Sequence, residues 1–200
     1  MKGIVLKEMP LGEADKLLTV FSEEGRISVV AKGAKKPGSR FLAAASVFAL
    51  SDMELVKGKS MYIMRNAVMI RSFYGLREDY DLLTTASSIV KAVASVVQEN
   101  LPDPETLELL VRALTILEDK KRTPDFTEAV FLTRLIYIQG MLGNPGEAVP
   151  GWNSLQPGTR MALEHICSAP PQKVFAFGLT PECEAELKAE SRRLYDRAME

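Results

Sequence analysis

Lys32-Gly33-Ala34-Lys35-Lys36-Pro37-Gly38-Ser39-Arg40 packs four cations into nine residues, with Arg26 just upstream and no acidic residue between Arg26 and Arg40. Gly33, Pro37 and Gly38 mark the segment as a connector rather than a regular element. Cations that project together from such a connector repel one another until an anion arrives. The chemistry they suit is the holding of phosphates. Bond-making constellations are missing by comparison. Gly58-Lys59-Ser60 imitates the end of a phosphate-binding loop, but that motif needs glycine where the chain has Met53. His165 is the single histidine and no G-x-S-x-G elbow occurs, so a nucleophile would lack its base. Cys167 and Cys183 stand sixteen residues apart with no C-x-x-C pair, which reads as two small buried side chains rather than zinc ligands. The acid pairs Glu23-Glu24 and Glu78-Asp79 read as solvated charges of a turn and a helix start. The expectation is an empty catalytic list with no metal and no cofactor.

The elements that must position the cluster follow from pattern. At 200 residues and 46% hydrophobic content the chain can bury one medium core or two small ones. The longest apolar runs, 42–50 and 89–97, are half of a membrane span, and residues 1–8 alternate and acquire charge too early for a secretion signal. A cytoplasmic protein with no membrane contact is expected. The net charge of −1 hides an asymmetry, because residues 1–80 hold 13 Lys+Arg against 9 Asp+Glu while residues 81–200 hold 12 against 17.

Ile4 and Leu6 alternate with Val5 and Lys7, residues 17–21 continue the alternation, and Ile27, Val29 and Ala31 alternate with Ser28 and Val30. That period of two predicts strands, with Glu23-Glu24-Gly25 as a hairpin turn. Runs 47–56 and 60–70, joined at Lys57-Gly58-Lys59, supply two more. Five strands in about 70 residues suit a small closed barrel, since an open sheet would leave apolar edges bare. After Leu76 apolar residues recur every three and four positions, from Leu82 to Val97, Leu107 to Leu117 and Val130 to Leu142. Asp103-Pro104, Thr123-Pro124 and Thr180-Pro181 each set a capping oxygen before a first-turn proline. Residues 143–158, with three Pro, four Gly and the sole Trp152, predict a loop without regular elements in which Trp152 anchors back onto the helices. The fold class is α+β: a five-stranded barrel, then a helical domain.

On such a barrel, Lys32, Lys35, Lys36 and Arg40 are the expected phosphate contacts, with Arg26, Arg65 and Arg71 joining if their strands face the same groove. Phe41 and Tyr62 are the candidates for stacking on bases, the mode by which small barrels hold single-stranded nucleic acid.

Gly12-Glu13-Ala14-Asp15-Lys16-Leu17-Leu18-Thr19-Val20-Phe21, followed by the stretch from Gly25-Arg26-Ile27 through Lys32-Gly33-Ala34-Lys35-Lys36-Pro37-Gly38-Ser39-Arg40-Phe41, resembles the amino-terminal signature of RecO, a family of bacterial recombination mediators. Leu76-Arg77-Glu78-Asp79-Tyr80-Asp81 is similar to that family's domain junction. The resemblance implies an OB-fold DNA-binding domain over residues 1–76 and a helical domain over 77–200. It implies a non-enzymatic, nucleoid-associated protein that binds single- and double-stranded DNA, anneals complementary strands and works with RecR and the single-stranded DNA-binding protein to load RecA. Many family members carry a four-cysteine zinc module after the third helix, where this chain has residues 143–158, so the resemblance implies a shortened member without metal. An alternative is an adaptor whose helical half docks the acidic tail of the single-stranded DNA-binding protein. Its available cations are Lys120, Lys121, Arg122, Arg134, Arg192 and Arg193.

Overall fold

The computed structural model describes every residue from Met1 to Glu200. Contacts divide the chain into two compact units, one formed by 1–77 with 94–107 and the other by 78–93 with 108–200.

In the first unit, β1 (Lys2–Leu11), β2 (Asp15–Ser22), β3 (Gly25–Ala31), β4 (Leu50–Lys57) and β5 (Tyr62–Arg71) close into a barrel in the order β1-β2-β3-β5-β4. β4 closes it by pairing antiparallel with β1, and β3 lies parallel to β5 through Val29–Tyr62 and Val30–Ile63. The alternation of β3 is complete: Gly25, Ile27, Val29 and Ala31 are buried and the residues between them are half-buried. Val5, Leu18, Val20, Ile27, Val29, Met53 and Met64 fill the interior. In β1 the pattern breaks, since Ile4, Val5 and Leu6 are all buried and a bulge shifts the register between Val5 and Lys7. Residues 47–49, expected to open the fourth strand, instead belong to the long β3–β4 connection, where Phe48 takes φ 73°. That connection folds back as a plug: Ala34, Phe41 and Ala45 join the barrel core, and main-chain bonds from Phe48 to Val5 (2.9 Å) and from Val5 to Ala49 (3.1 Å) fasten its end.

Residues 94–107 form a strap on the same unit. Arg26 N–H donates to the Gln98 carbonyl at 3.1 Å and Asn100 N–H to the Arg26 carbonyl at 3.1 Å. The approach is close enough that Gly25, at φ 93°, has only 2.3 Å between the place of a Cβ and the Leu101 carbonyl oxygen. A side chain there would meet main chain on a backbone that already favours glycine.

The helices are α1 (Tyr80–Val96), α2 (Pro104–Glu118), α3 (Pro124–Ile138), α4 (Pro145–Ala148), α5 (Pro157–Ser168) and α6 (Pro181–Ala198). Capping follows the expected pattern, with Asp103 Oδ1 accepting from Thr106 N–H, Thr123 Oγ1 from Phe126 N–H and Thr180 Oγ1 from Cys183 N–H. In the second unit α3 is the central helix, buried almost all round from Phe126 to Ile136, and Thr133 bonds Ser191 of α6 at 2.8 Å. The span 143–158 departs from the expected structureless loop. Asn144 caps α4 by accepting from Gly146 N–H, residues Trp152–Ser154 form a 3-10 turn, and Arg197 donates to the Ala148 carbonyl at 2.9 Å. Prolines at helix first positions organise the segment that their number had marked as irregular. Trp152 is half-buried beside Gly146. Cys167 and Cys183 are buried free thiols.

Candidate nucleic-acid interface

β3 ends at Ala31, and the chain turns at Gly33 (φ 70°) into the basic connection. A latch holds the turn. Asp15 Oδ1 accepts the Gly33 N–H at 2.7 Å, and Lys35 N–H donates to the Ala14 carbonyl at 2.9 Å. Between this connection and the start of β5 lies an open cleft of about 490 Å³. Lys32, Lys36, Arg40 and Arg65 stand on its walls, with Ile63 and Met64 behind them. All four cations are exposed. Arg40 is the most fixed of them, because its guanidinium donates to the Arg65 carbonyl at 2.7 Å and lies 4.7 Å from the centre of the Phe41 ring. A guanidinium has five N–H donors, so that one bond leaves others for an anion.

The sequence candidates therefore separate. Lys32, Lys36, Arg40 and Arg65 come together. Lys35 points to the other side of the turn, its ammonium donating to the Gly12 carbonyl at 3.1 Å. Arg26 lies six residues back along β3, about 20 Å away at strand spacing, where it donates to the Ala94 carbonyl and pairs with Glu99 at 3.6 Å. Arg71 lies a similar distance along β5 from Arg65, its guanidinium over the Phe73 ring. Phe41 is corrected from stacking platform to core: it is 6% exposed, and Arg40 covers the ring. Tyr62 is half-buried and packs on the same core, which leaves it a lining rather than a free aromatic surface. The residue that sequence reasoning missed is Asp15, whose latch sets the direction of the basic segment. Its signal was an acid beside a turn glycine in Gly12-Glu13-Ala14-Asp15.

The cations of the adaptor alternative are engaged within the second unit. Arg134 is 6% exposed and donates to the Ile166 and Cys167 carbonyls, capping the end of α5. Lys120 pairs with Asp79, Lys121 with Asp119, Arg192 with Glu128 and Asp196, and Arg193 with Glu190, while Arg122 covers the Phe126 ring.

A closed five-stranded barrel of this strand order, followed by six helices, defines an OB-fold protein with a helical domain. The chain belongs to the RecO family: residues 1–73 match the model of its amino-terminal domain, described as Recombination protein O N terminal. Relatives named DNA repair protein RecO agree. The chain is 39% identical over 139 residues to that of Acetivibrio thermocellus, covering 69% of this chain and 55% of the relative. It is 31% identical over 141 residues to that of Alkaliphilus metalliredigens, covering 70% and 57%, and 36% identical over 144 residues to that of Gloeothece citriformis, covering 70% and 50%. The matched region thus spans about half the length of these curated relatives. No helix is long and apolar enough to cross a membrane.

Proposed function

We propose that this chain is a non-catalytic DNA-binding protein of recombinational repair, acting in the cytoplasm at the nucleoid. It holds single- and double-stranded DNA at the cleft, anneals complementary strands, and helps to load RecA together with RecR and the single-stranded DNA-binding protein. The observation that carries the reading is the convergence of Lys32, Lys36, Arg40 and Arg65 on one open cleft at the barrel rim. Annealing asks for no bond-making group. Neutralising phosphates of two strands on one surface lowers their mutual repulsion and raises their local concentration. The supporting role of half-buried Ile63, on the apolar floor of the cleft, is contact with sugar or base edges, since Phe41 and Met64 are core.

The test is strand annealing with a quenched pair of complementary oligonucleotides. The full chain accelerates duplex formation, and the acceleration falls as salt rises. A rate equal to that of the oligonucleotides alone removes the proposal.

A further inference from the structure

β2 runs one residue past its last pairing with β3. Lys16 faces Ala31, and beyond them β3 leaves the barrel as the basic connection while Asp15 still pairs with Leu11 of β1. Gly33 follows at φ 70°, a hinge at which glycine accepts more than one direction. The connection has turns of its own, with Lys36 N–H donating to the Gly33 carbonyl at 3.1 Å and Ser39 N–H to the Lys36 carbonyl at 3.0 Å. These shape it internally but do not aim it. Its aim comes from the turn between β1 and β2. Half-buried Asp15 accepts the Gly33 N–H at 2.7 Å, the Ala14 carbonyl accepts the Lys35 N–H at 2.9 Å, and the Gly12 carbonyl accepts from the Lys35 ammonium at 3.1 Å. Farther on, Lys16 donates to the Ala45 carbonyl at 3.2 Å and pairs with Glu8 at 3.0 Å, where the connection returns to the barrel core. Residues 12–16 thus grip the basic segment at Gly33 and again at Ala45, on either side of Lys36 and Arg40.

Asp15 is the odd member of this set. A carboxylate beside a cationic cleft adds a field that repels phosphates, so its charge alone opposes the binding of DNA. Its partner, however, is the main-chain N–H of a cleft-lining residue rather than one of the neighbouring ammonium groups. A charge-assisted bond of this kind is stronger than a neutral one, and it is in place before any ligand arrives. Resting on the functional reading above, we infer that Asp15 is a positioning residue of the nucleic-acid cleft. It raises affinity for DNA, against the sign of its own charge, by holding the connection in the direction that sets Lys32 and Lys36 across the cleft from Arg65. The cations then meet a strand in a ready-made arrangement, and the strand does not have to order them.

The test is anisotropy of a labelled oligothymidylate with the full chain and two variants, Asp15→Ala and Asp15→Asn, across about 50 to 200 mM salt. Losing the bond shifts the balance between aimed and free connection by roughly tenfold, and affinity falls with the aimed fraction. Asp15→Ala therefore binds about tenfold more weakly at every salt concentration. Its slope of log affinity against log salt is unchanged, because the same cations reach the strand once it is bound. Asp15→Asn sheds the charge but keeps an oxygen acceptor, and its affinity stays within about threefold of the parent's. If Asp15 acted only through its charge, both variants would bind more tightly than the parent at low salt, with the gain fading as salt rises. That result overturns the proposal, as does Asp15→Asn binding as weakly as Asp15→Ala. Amide hydrogen exchange on the unaltered chain supplies a measure that needs no variant to fold. The Gly33 and Lys35 amides exchange slowly before any oligonucleotide is added; protection that appears only with oligonucleotide means that the ligand orders the connection, and overturns the proposal. A parent chain that does not bind the probe refutes the functional reading and the positioning role with it. A parent that binds while a folded Asp15→Ala matches it refutes the positioning role alone.

Discussion

Removing two of the four cleft cations has a consequence that can be worked out in advance. Each neutralised phosphate of a single strand contributes about −0.7 to the slope of log affinity against log salt. If Lys32, Lys36, Arg40 and Arg65 each hold one, the slope is about −2.8, and raising salt from 50 to 200 mM weakens binding roughly 50-fold. Lys36→Ala with Arg65→Ala leaves a slope of about −1.4 and a loss of about sevenfold over the same range. Arg65 loses only its side chain in this variant, so the carbonyl that anchors Arg40 remains. The control is Arg26→Ala with Arg71→Ala, which removes as much charge from positions outside the cleft lining. Its slope stays near −2.8. Anisotropy of a labelled oligothymidylate at five salt concentrations measures all three proteins. A control slope that drops as far as that of the cleft variant would show that the cations act as a diffuse field, and the assignment of a local site would be wrong.

Three further outcomes follow from local geometry. Gly25→Ala forces a side chain against the Leu101 carbonyl at φ 93°; it lowers stability by at least the roughly 1–3 kcal/mol that such strain costs, read from urea unfolding, and an unchanged midpoint would mean that the strap is not seated. Asp79 is held below its ordinary carboxylate value of 3.8 by the Leu82 N–H and then by Lys120, and Glu182 is lowered by its own N–H and by Thr180. A carboxylate depressed in the folded state stabilises it above the unfolded pKa and loses that contribution as pH falls through the folded one. The unfolding temperature therefore declines as pH drops through and below about 4, and Asp79→Asn flattens part of the decline. Burial pushes the Cys167 thiol up to about 11, against a smaller downward pull from Arg134. Iodoacetamide at pH 8 leaves Cys167 unmodified in the folded chain and labels it in urea, as peptide mapping will register; rapid labelling without denaturant contradicts the packing of α5.

What was readable in the sequence was local. The alternation of Ile27, Val29 and Ala31 is the pleat itself, and the three capped prolines announce α2, α3 and α6 because the capping bond spans three residues. The strand count led to a closed barrel because apolar edges need cover. The positive cluster was readable as composition, but not its division. Whether Arg26 and Arg71 belong with Lys36 depends on which end of a strand meets which connection, a property of barrel closure that no short window contains. Phe41 shows the same limit. Beside four cations it looks like a stacking ring, and only the return of the β3–β4 connection into the barrel, tied down at Phe48 and Ala49, places it in the core. The span 143–158 was misjudged for a different reason: proline ends helices but also begins them, and Asn144 and Gln156 stand directly before such prolines.

The strap over Gly25 also bears on when the barrel is finished during synthesis. β5 closes the cylinder at Arg71, yet the turn between β2 and β3 stays uncovered until the chain has been made as far as Leu101, 30 residues later. At about 5–20 residues per second, the nascent barrel spends some seconds with its Gly25 turn bare to water before the strap can seat on it.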